Sequence, residues 1–303
     1  MDAVSAKLDV GLDVGATKTL GVAITQDGTI VAEVREQTRL GADGVVDTAT
    51  RVFAALREAT GERLQGTVGV GVPGLVDVDL GAVKHAVNLG VDGEWLRLRD
   101  LLSHRLDLAV VVENDVNAAA LGACALDDAE DIAYISIGTG LAAGLVLGGR
   151  LRRGAHGAAG EVGHVSVDPL GAACQCGQRG CLETIASGSA LASAWPTPDA
   201  PAASALFAAA ARGDAAAVVV RDRLCAGVAS AARVLSLTVD PVSIYLGGGV
   251  AQVGEPLRTG VQQALRDQAA GSPFLTSLDL AGRIRVVPAN YPVAAVGAAL
   301  LGR

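Results

Sequence analysis

The segment Gly160-Glu161-Val162-Gly163-His164 is followed by Cys174-Gln175-Cys176 and then by Cys181-Leu182-Glu183. Three of the chain's five cysteines fall within eight residues, with one of its four histidines just upstream. Cys174, Cys176, Cys181 and His164 together offer three thiolates and an imidazole, the donor set of a closed, tetrahedral structural Zn²⁺ site. Two other readings compete: buried free thiols, or a disulfide. Burial alone accounts for Cys124 and Cys225, each isolated in an Ala-rich stretch, but not for a cluster. Nothing in the sequence points to export, and in a cytosolic chain such spacing favours a metal. Gly177 and Gly180 stand where a chain wrapping an ion must turn. Glu161 and Glu183 place one carboxylate at each end of the segment.

Glycine-rich turns form a second group. Asp13-Val14-Gly15-Ala16-Thr17-Lys18-Thr19 leaves an apolar strand and turns sharply. Backbone N–H groups in such a turn close on phosphate oxygens, with the Thr17 and Thr19 hydroxyls assisting. Asp13 is placed to hold Mg²⁺ directly or through water. An ordinary hairpin turn is the plain alternative. Gly138-Thr139-Gly140 and Gly247-Gly248-Gly249 repeat the feature, and three glycine turns at strand ends fit a nucleotide site. Glu113-Asn114-Asp115 ends another strand. A carboxylate there can accept the proton of an attacking hydroxyl, and Asn or Asp there can equally cap the next helix.

These residues need strands to carry them. Strands are predicted over 7–13, 20–25, 29–34, 67–72, 108–112, 243–246 and 284–288. The run 132–149 is as long as a membrane span, but its glycines predict two buried strands joined by a turn. Helices are predicted from the spacing of Val45, Val46, Ala49, Val52, Phe53 and Leu56, and over 95–106, from 117, over 214–237 and over 293–301. A shift of 123 positions carries Gly15 onto Gly138 and Gly21 onto Gly144, which predicts two similar halves facing a cleft. Pro196-Thr197-Pro198 and Pro201 mark a surface loop.

At 303 residues with 50% hydrophobic and 3% aromatic content, the chain can bury two alanine- and valine-rich cores. Its net charge of -8 excludes nucleic acid as a main partner. Met1-Asp2-Ala3-Val4-Ser5 has no leader pattern, so a cytoplasmic protein without membrane association is expected.

Taken together, these motifs resemble the ROK family of sugar kinases and sugar-responsive repressors, built on the actin/hexokinase/Hsp70 ATPase fold. The resemblance rests on the turn from Asp13 to Thr19, Val72-Pro73-Gly74, Glu113-Asn114-Asp115 and Ile137-Gly138-Thr139-Gly140. It continues through Glu161-Val162-Gly163-His164, Cys174-Gln175-Cys176-Gly177, Gly180-Cys181-Leu182-Glu183 and Leu246-Gly247-Gly248-Gly249. Ala16 stands where many relatives have glycine.

The resemblance implies an α/β, two-domain actin-like (ribonuclease H-like) fold with an interdomain cleft and structural zinc. The implied small domain is 1–116 plus 290–303, and the large one 117–289. It implies ATP-dependent phosphorylation of a hexose, glucose first, with Mg²⁺. Asp115 is the implied general base; a carboxylate of ordinary pKa can accept the proton late in the transfer, so it need not be strongly perturbed. Gly74, Asn114, Glu161, His164 and Glu183 are implied on the sugar. Asp13, Gly15, Thr17, Lys18, Thr19, Gly138, Thr139 and Gly140 are implied on the phosphates and metal, and Gly248 and Gly249 on the nucleoside. If zinc takes one nitrogen of His164, the other must carry a proton and becomes a fixed donor to sugar. A homodimer or homotetramer is implied. Alternatives are kinases for N-acetylglucosamine, N-acetylmannosamine, fructose, mannose or allose, polyphosphate as donor, and a non-catalytic sugar-sensing regulator. The twelve residues before Asp13 are too few for a repressor's winged helix, so the kinase is expected.

Overall fold

β1 (Leu8–Val14), β2 (Lys18–Ile24) and β3 (Ile30–Gln37) form an antiparallel meander. This computed structural model describes residues 7–61, 64–127, 129–197 and 201–303. The stretch read for a leader therefore lies outside the described residues, as does part of the proline loop. β3 alternates half-buried and exposed residues, as an edge strand with one wet face should. β4 (Leu64–Val72) and β7 (Val110–Asn114) add in parallel, giving the order β3-β2-β1-β4-β7. A small hairpin, β5 (Leu75–Asp77) with β6 (Ala82–Lys84), comes after β4.

Helix α1 (Ala42–Thr60) buries Val45, Val46, Ala49, Val52, Phe53 and Leu56, the predicted stripe, and ends at left-handed Gly61. α2 (Leu98–Leu106) buries Leu98, Leu102 and Leu106. α3 (Asp115–Cys124) and α10 (Val293–Leu300) pack on each other, and α10 also lies on β1 and β4.

That close packing needs missing side chains. A Cβ on Gly297 would stand 1.6 Å from the Ala118 carbonyl oxygen, and one on Gly122 1.8 Å from that of Val293. In both cases the obstacle is backbone, which cannot rotate away. Gly297→Ala is therefore expected to cost about 3 kcal/mol, the upper end for overpacking. Urea unfolding checks this; an unchanged midpoint would contradict the close approach.

The second sheet has the same plan. β8 (Ile132–Ile137), β9 (Leu141–Leu147) and β10 (Arg150–Leu151) form a meander. β11 (Ser243–Gly247) and β12 (Ile284–Val286) add in parallel, in the order β10-β9-β8-β11-β12. The repeat is one of topology, and its register differs from the 123-residue shift. Val14 pairs with Thr19 but Ile137 with Leu141, so the second turn is one residue shorter and Gly144 faces Tyr134. Covering helices are α4 (Glu183–Ala186), α5 (Gly188–Ala194), α6 (Ala202–Ala211), α7 (Ala215–Val239), α8 (Glu255–Ala269) and α9 (Pro273–Ser277). The apolar faces of α4 to α8 and strands β8, β9 and β11 enclose one core. No helix of the described residues is long and apolar enough to cross a membrane.

The chain divides into two compact units, Met1–Asp128 with Pro292–Arg303, and Ala129–Tyr291. α3 belongs to the first unit, where residue 116 was expected to end it. Its packing against α10 holds it there.

Candidate active site and metal centre

Within the first unit, register gathers three strand ends. Asp13 pairs with Gly71, Gly71 with Glu113, and Val72 with Asn114. Asp13 and the start of α3 therefore stand at the same edge of the sheet. Asn114 is the N-cap of α3: its Oδ1 accepts from the amides of Val116 at 2.9 Å and Asn117 at 3.3 Å. Its Nδ2 donates to the Gly74 carbonyl at 3.2 Å. Of the two functions considered for this triplet, the capping falls to Asn114. The cap occupies the Asn114 oxygen, so only its amide has a hydrogen left to donate.

Asp115 Oδ1 accepts from the Val116 amide at 2.9 Å. Burial raises the Asp115 pKa above the ordinary carboxylate value, with hydrogen bonds from the Val116 and Asp115 amides opposing. Asp13 is raised to about 7, first by burial and then by the Asp115 charge, with Lys18 pulling the other way. Two neighbouring carboxylates with one cation to offset them suit a divalent metal.

The turn between β1 and β2 is tied rather than open. The Gly15 amide donates to the Lys18 carbonyl at 3.0 Å, and Thr38 Oγ1 donates to the Gly15 carbonyl at 2.7 Å. Thr19 is fully buried and its hydroxyl meets Thr38 Oγ1 at 2.9 Å. The Thr19 side chain thus braces the turn from within, while Thr17 and Lys18 are exposed. Thr38, at the end of β3, was not singled out in the sequence, because its role exists only once β2 and β3 pair.

The raised Asp13 pKa carries a sign. Between the ordinary value near 4 and about 7, the folded state holds a proton that the unfolded chain has lost, so ligand-free stability falls as pH rises through that window. Asp13→Asn removes this dependence. Its Tm is expected to exceed the wild type's at pH 8 and to converge on it toward pH 4, in thermal unfolding without ligand. Parallel pH profiles for the two proteins would contradict this.

In the second unit, Gly138-Thr139-Gly140 comes directly after β8. The start of α5 holds it: the amides of Gly188 and Ser189 donate to the Gly138 and Thr139 carbonyls at 2.7 and 3.2 Å. Ser189 Oγ adds a 2.7 Å bond to the Thr139 carbonyl. Gly248, with φ 83°, comes directly after β11, and a Cβ there would meet the Ile137 backbone at 2.7 Å. The two turns therefore end adjacent parallel strands. Glu183, the first residue of α4, accepts the Leu141 amide at 3.0 Å and links the cysteine segment to the Gly140 turn.

The cysteine segment is pressed onto β9. A Cβ on Gly160 would stand 1.9 Å from the Ala143 carbonyl oxygen, and one on Gly163 2.0 Å from that of Leu141. Cys174 to Gly177 form a turn closed at 3.0 Å, with Gly177 at φ 91°. The ligand atoms of His164, Cys174, Cys176 and Cys181 lie within 4.8 Å of one another. Cys176 and Cys181 sulfurs are 3.7 Å apart, and Cys174 Sγ is 3.8 Å from His164 Nδ1. A disulfide needs about 2.05 Å. Tetrahedral bonds of about 2.3 Å require edges of roughly 3.8 Å, so these residues fit zinc.

Nδ1 faces the thiols, and Nε2 lies 3.9 Å from Glu161 Oε2. With Nδ1 on the metal, Nε2 carries the proton and points toward Glu161. Hydrogen bonds from the Gln178 amide and side chain pull the exposed Cys176 thiol down to about 6, whereas burial pushes Cys181 up to about 12. A thiolate suited to a metal is thus already favoured at Cys176.

The chain belongs to the ROK family, whose sequence pattern matches residues 9–301. It is 34% identical over 296 residues to a glucokinase of Halalkalibacterium halodurans, covering 88% of each chain. It superposes on a ROK hexokinase of Thermus thermophilus with TM-score 0.81 and 29% identity over 97% of both chains. A Streptomyces griseus ROK family glucokinase, solved with glucose and AMPPNP, matches at TM-score 0.79 and 32% identity, over 98% of this chain and 99% of that one.

Proposed function

We propose that this chain is a glucokinase, transferring the γ-phosphoryl group of ATP to the 6-hydroxyl of glucose. The observation that carries this reading is Asp115, a half-buried carboxylate at the start of a capped helix, in a family whose similar members include glucokinases. Phosphoryl transfer depends on positioning and charge stabilisation. The sugar's oxygen bonds to Pγ as the bond from Pγ to the β-phosphate oxygen breaks and ADP leaves. Asp115 takes the hydroxyl proton. Its raised pKa makes it a stronger proton acceptor when ionised than an ordinary carboxylate.

Asn114 donates its remaining amide hydrogen to a ring hydroxyl. Glu161 and Glu183 accept from ring hydroxyls, and His164 donates through Nε2. Gly74 borders the sugar. Gly15, Thr17, Gly138, Thr139 and Gly140 border the phosphates, Lys18 supplies positive charge, and Gly248 and Gly249 border the nucleoside. Asp13 is the residue to hold Mg²⁺. Cys174, Cys176, Cys181 and His164 would hold zinc, which would serve a structural role by fixing the His164 ring.

ADP release measured across a hexose panel tests the substrate. Glucose is expected to give the highest kcat/KM. A preference for N-acetylmannosamine, N-acetylglucosamine, fructose, mannose or allose would replace glucose but keep the kinase. Sugar binding without ADP release from any hexose would favour a regulator.

A further inference from the structure

Glu113 is 1% exposed at the end of β7, immediately before the proposed base and its cap. Nothing in the proton transfer uses it. Its Oε1 accepts two hydrogen bonds, from the Asn114 amide at 3.0 Å and from Asn117 Nδ2 at 3.0 Å. Asn117 is half-buried in the first turn of α3, and its own amide donates to Asn114 Oδ1. The three residues close a ring: Glu113 holds Asn114 and Asn117, and Asn114 holds the amides of Val116 and Asn117. Asp115 stands inside that ring, its Oδ1 fixed by the Val116 amide.

A carboxylate is the fitting group here. It only accepts, so it cannot reverse the polarity of the ring as a glutamine amide could. Buried, such charge-assisted bonds are stronger than neutral ones. Asn117 must donate, which an aspartate or a hydrophobic residue cannot do.

We propose that Glu113 and Asn117 are positioning residues that hold the first turn of α3 so that Asp115 meets the sugar hydroxyl at a reactive distance. The proposal rests on the reading of Asp115 as the base. Neither residue is among those assigned above to the sugar or the nucleotide. Their effect is on geometry, and a displacement of about 1 Å is worth as much as a hundredfold in rate.

The test is a double-mutant cycle with ATP and glucose, read as kcat and as calorimetric glucose Kd. Asn117→Ala is expected to lower kcat about tenfold or more while glucose Kd stays within about threefold. In an Asp115→Asn background the same substitution is expected to lower kcat by less than about twofold, because there is no base left to position. Thermal unfolding confirms that each variant is folded. If Asn117→Ala does not fold, Asn117→Ser, which keeps a shorter donor, enters the same cycle.

Equal losses in both backgrounds would overturn the positioning role and leave the base assignment standing. An unchanged kcat in folded Asn117→Ala would do the same. Near-normal kcat in Asp115→Asn alone would overturn the base assignment and the positioning role with it.

Discussion

Asp115→Asn is expected to lower kcat at least about a hundredfold, within the range that removing a general base gives. Asparagine keeps the size of the side chain, and its oxygen can still accept the Val116 amide as Asp115 Oδ1 does at 2.9 Å. It cannot take a proton. Glucose Kd is expected to stay within about threefold, because Asn114, Glu161, His164 and Glu183 are intact. Removing a half-buried carboxylate whose desolvation disfavours its charge also removes a cost of folding, so the variant should unfold at no lower a temperature than the wild type at pH 8. Loss of rate without loss of stability separates chemistry from architecture. A variant with normal kcat and a raised KM would make Asp115 a binding residue.

The second large effect concerns the cysteine cluster. The purified protein is expected to contain about one Zn²⁺ per chain, and Cys176→Ala is expected to contain almost none. Cys176 is exposed, so truncating it opens no cavity, and any destabilisation on its loss reports the metal. Between His164 and Cys181 the segment is held by short bridges such as Ser166 with Cys181 and Ala173 with Arg179. Without the ion the segment should loosen, and with it Glu183, whose carboxylate joins it to the Leu141 amide. A cost of about 3 kcal/mol, similar to losing a disulfide, corresponds to roughly 10 °C in Tm for a unit of this size. Glucose affinity should fall as well, through His164 and Glu183. Elemental analysis showing active protein without metal would contradict this.

Much of this was legible in the sequence because it is local. The cysteine spacing defined the metal cluster without reference to the rest of the chain, and the apolar stripe of α1 marked its buried face. α3 begins at Asp115 rather than 117 because Asn114 caps it, a possibility that the triplet itself raised. What was not legible depends on partners far apart in the chain. That Thr19 braces its turn shows only once β3 brings Thr38 to its hydroxyl. The raised pKa of Asp13 comes first from its burial and then from the Asp115 charge, and both exist only once the chain has folded. Helix α8 was missed although Leu257, Val261 and Leu265 recur at helical spacing and Pro256 stands in its first turn, a favoured place for proline. The one-residue difference between the two hairpin turns could not be read from glycines alone, because glycine marks a turn but not its length.

The most direct test of the central claim is ³¹P NMR of purified protein mixed with ATP, Mg²⁺ and glucose. The account predicts one new phosphomonoester signal, coupled to the two C6 protons of glucose, growing in step with ADP while free phosphate stays low. ATP consumed to ADP and free phosphate with no sugar phosphate, or ATP left intact while glucose binds, would contradict it.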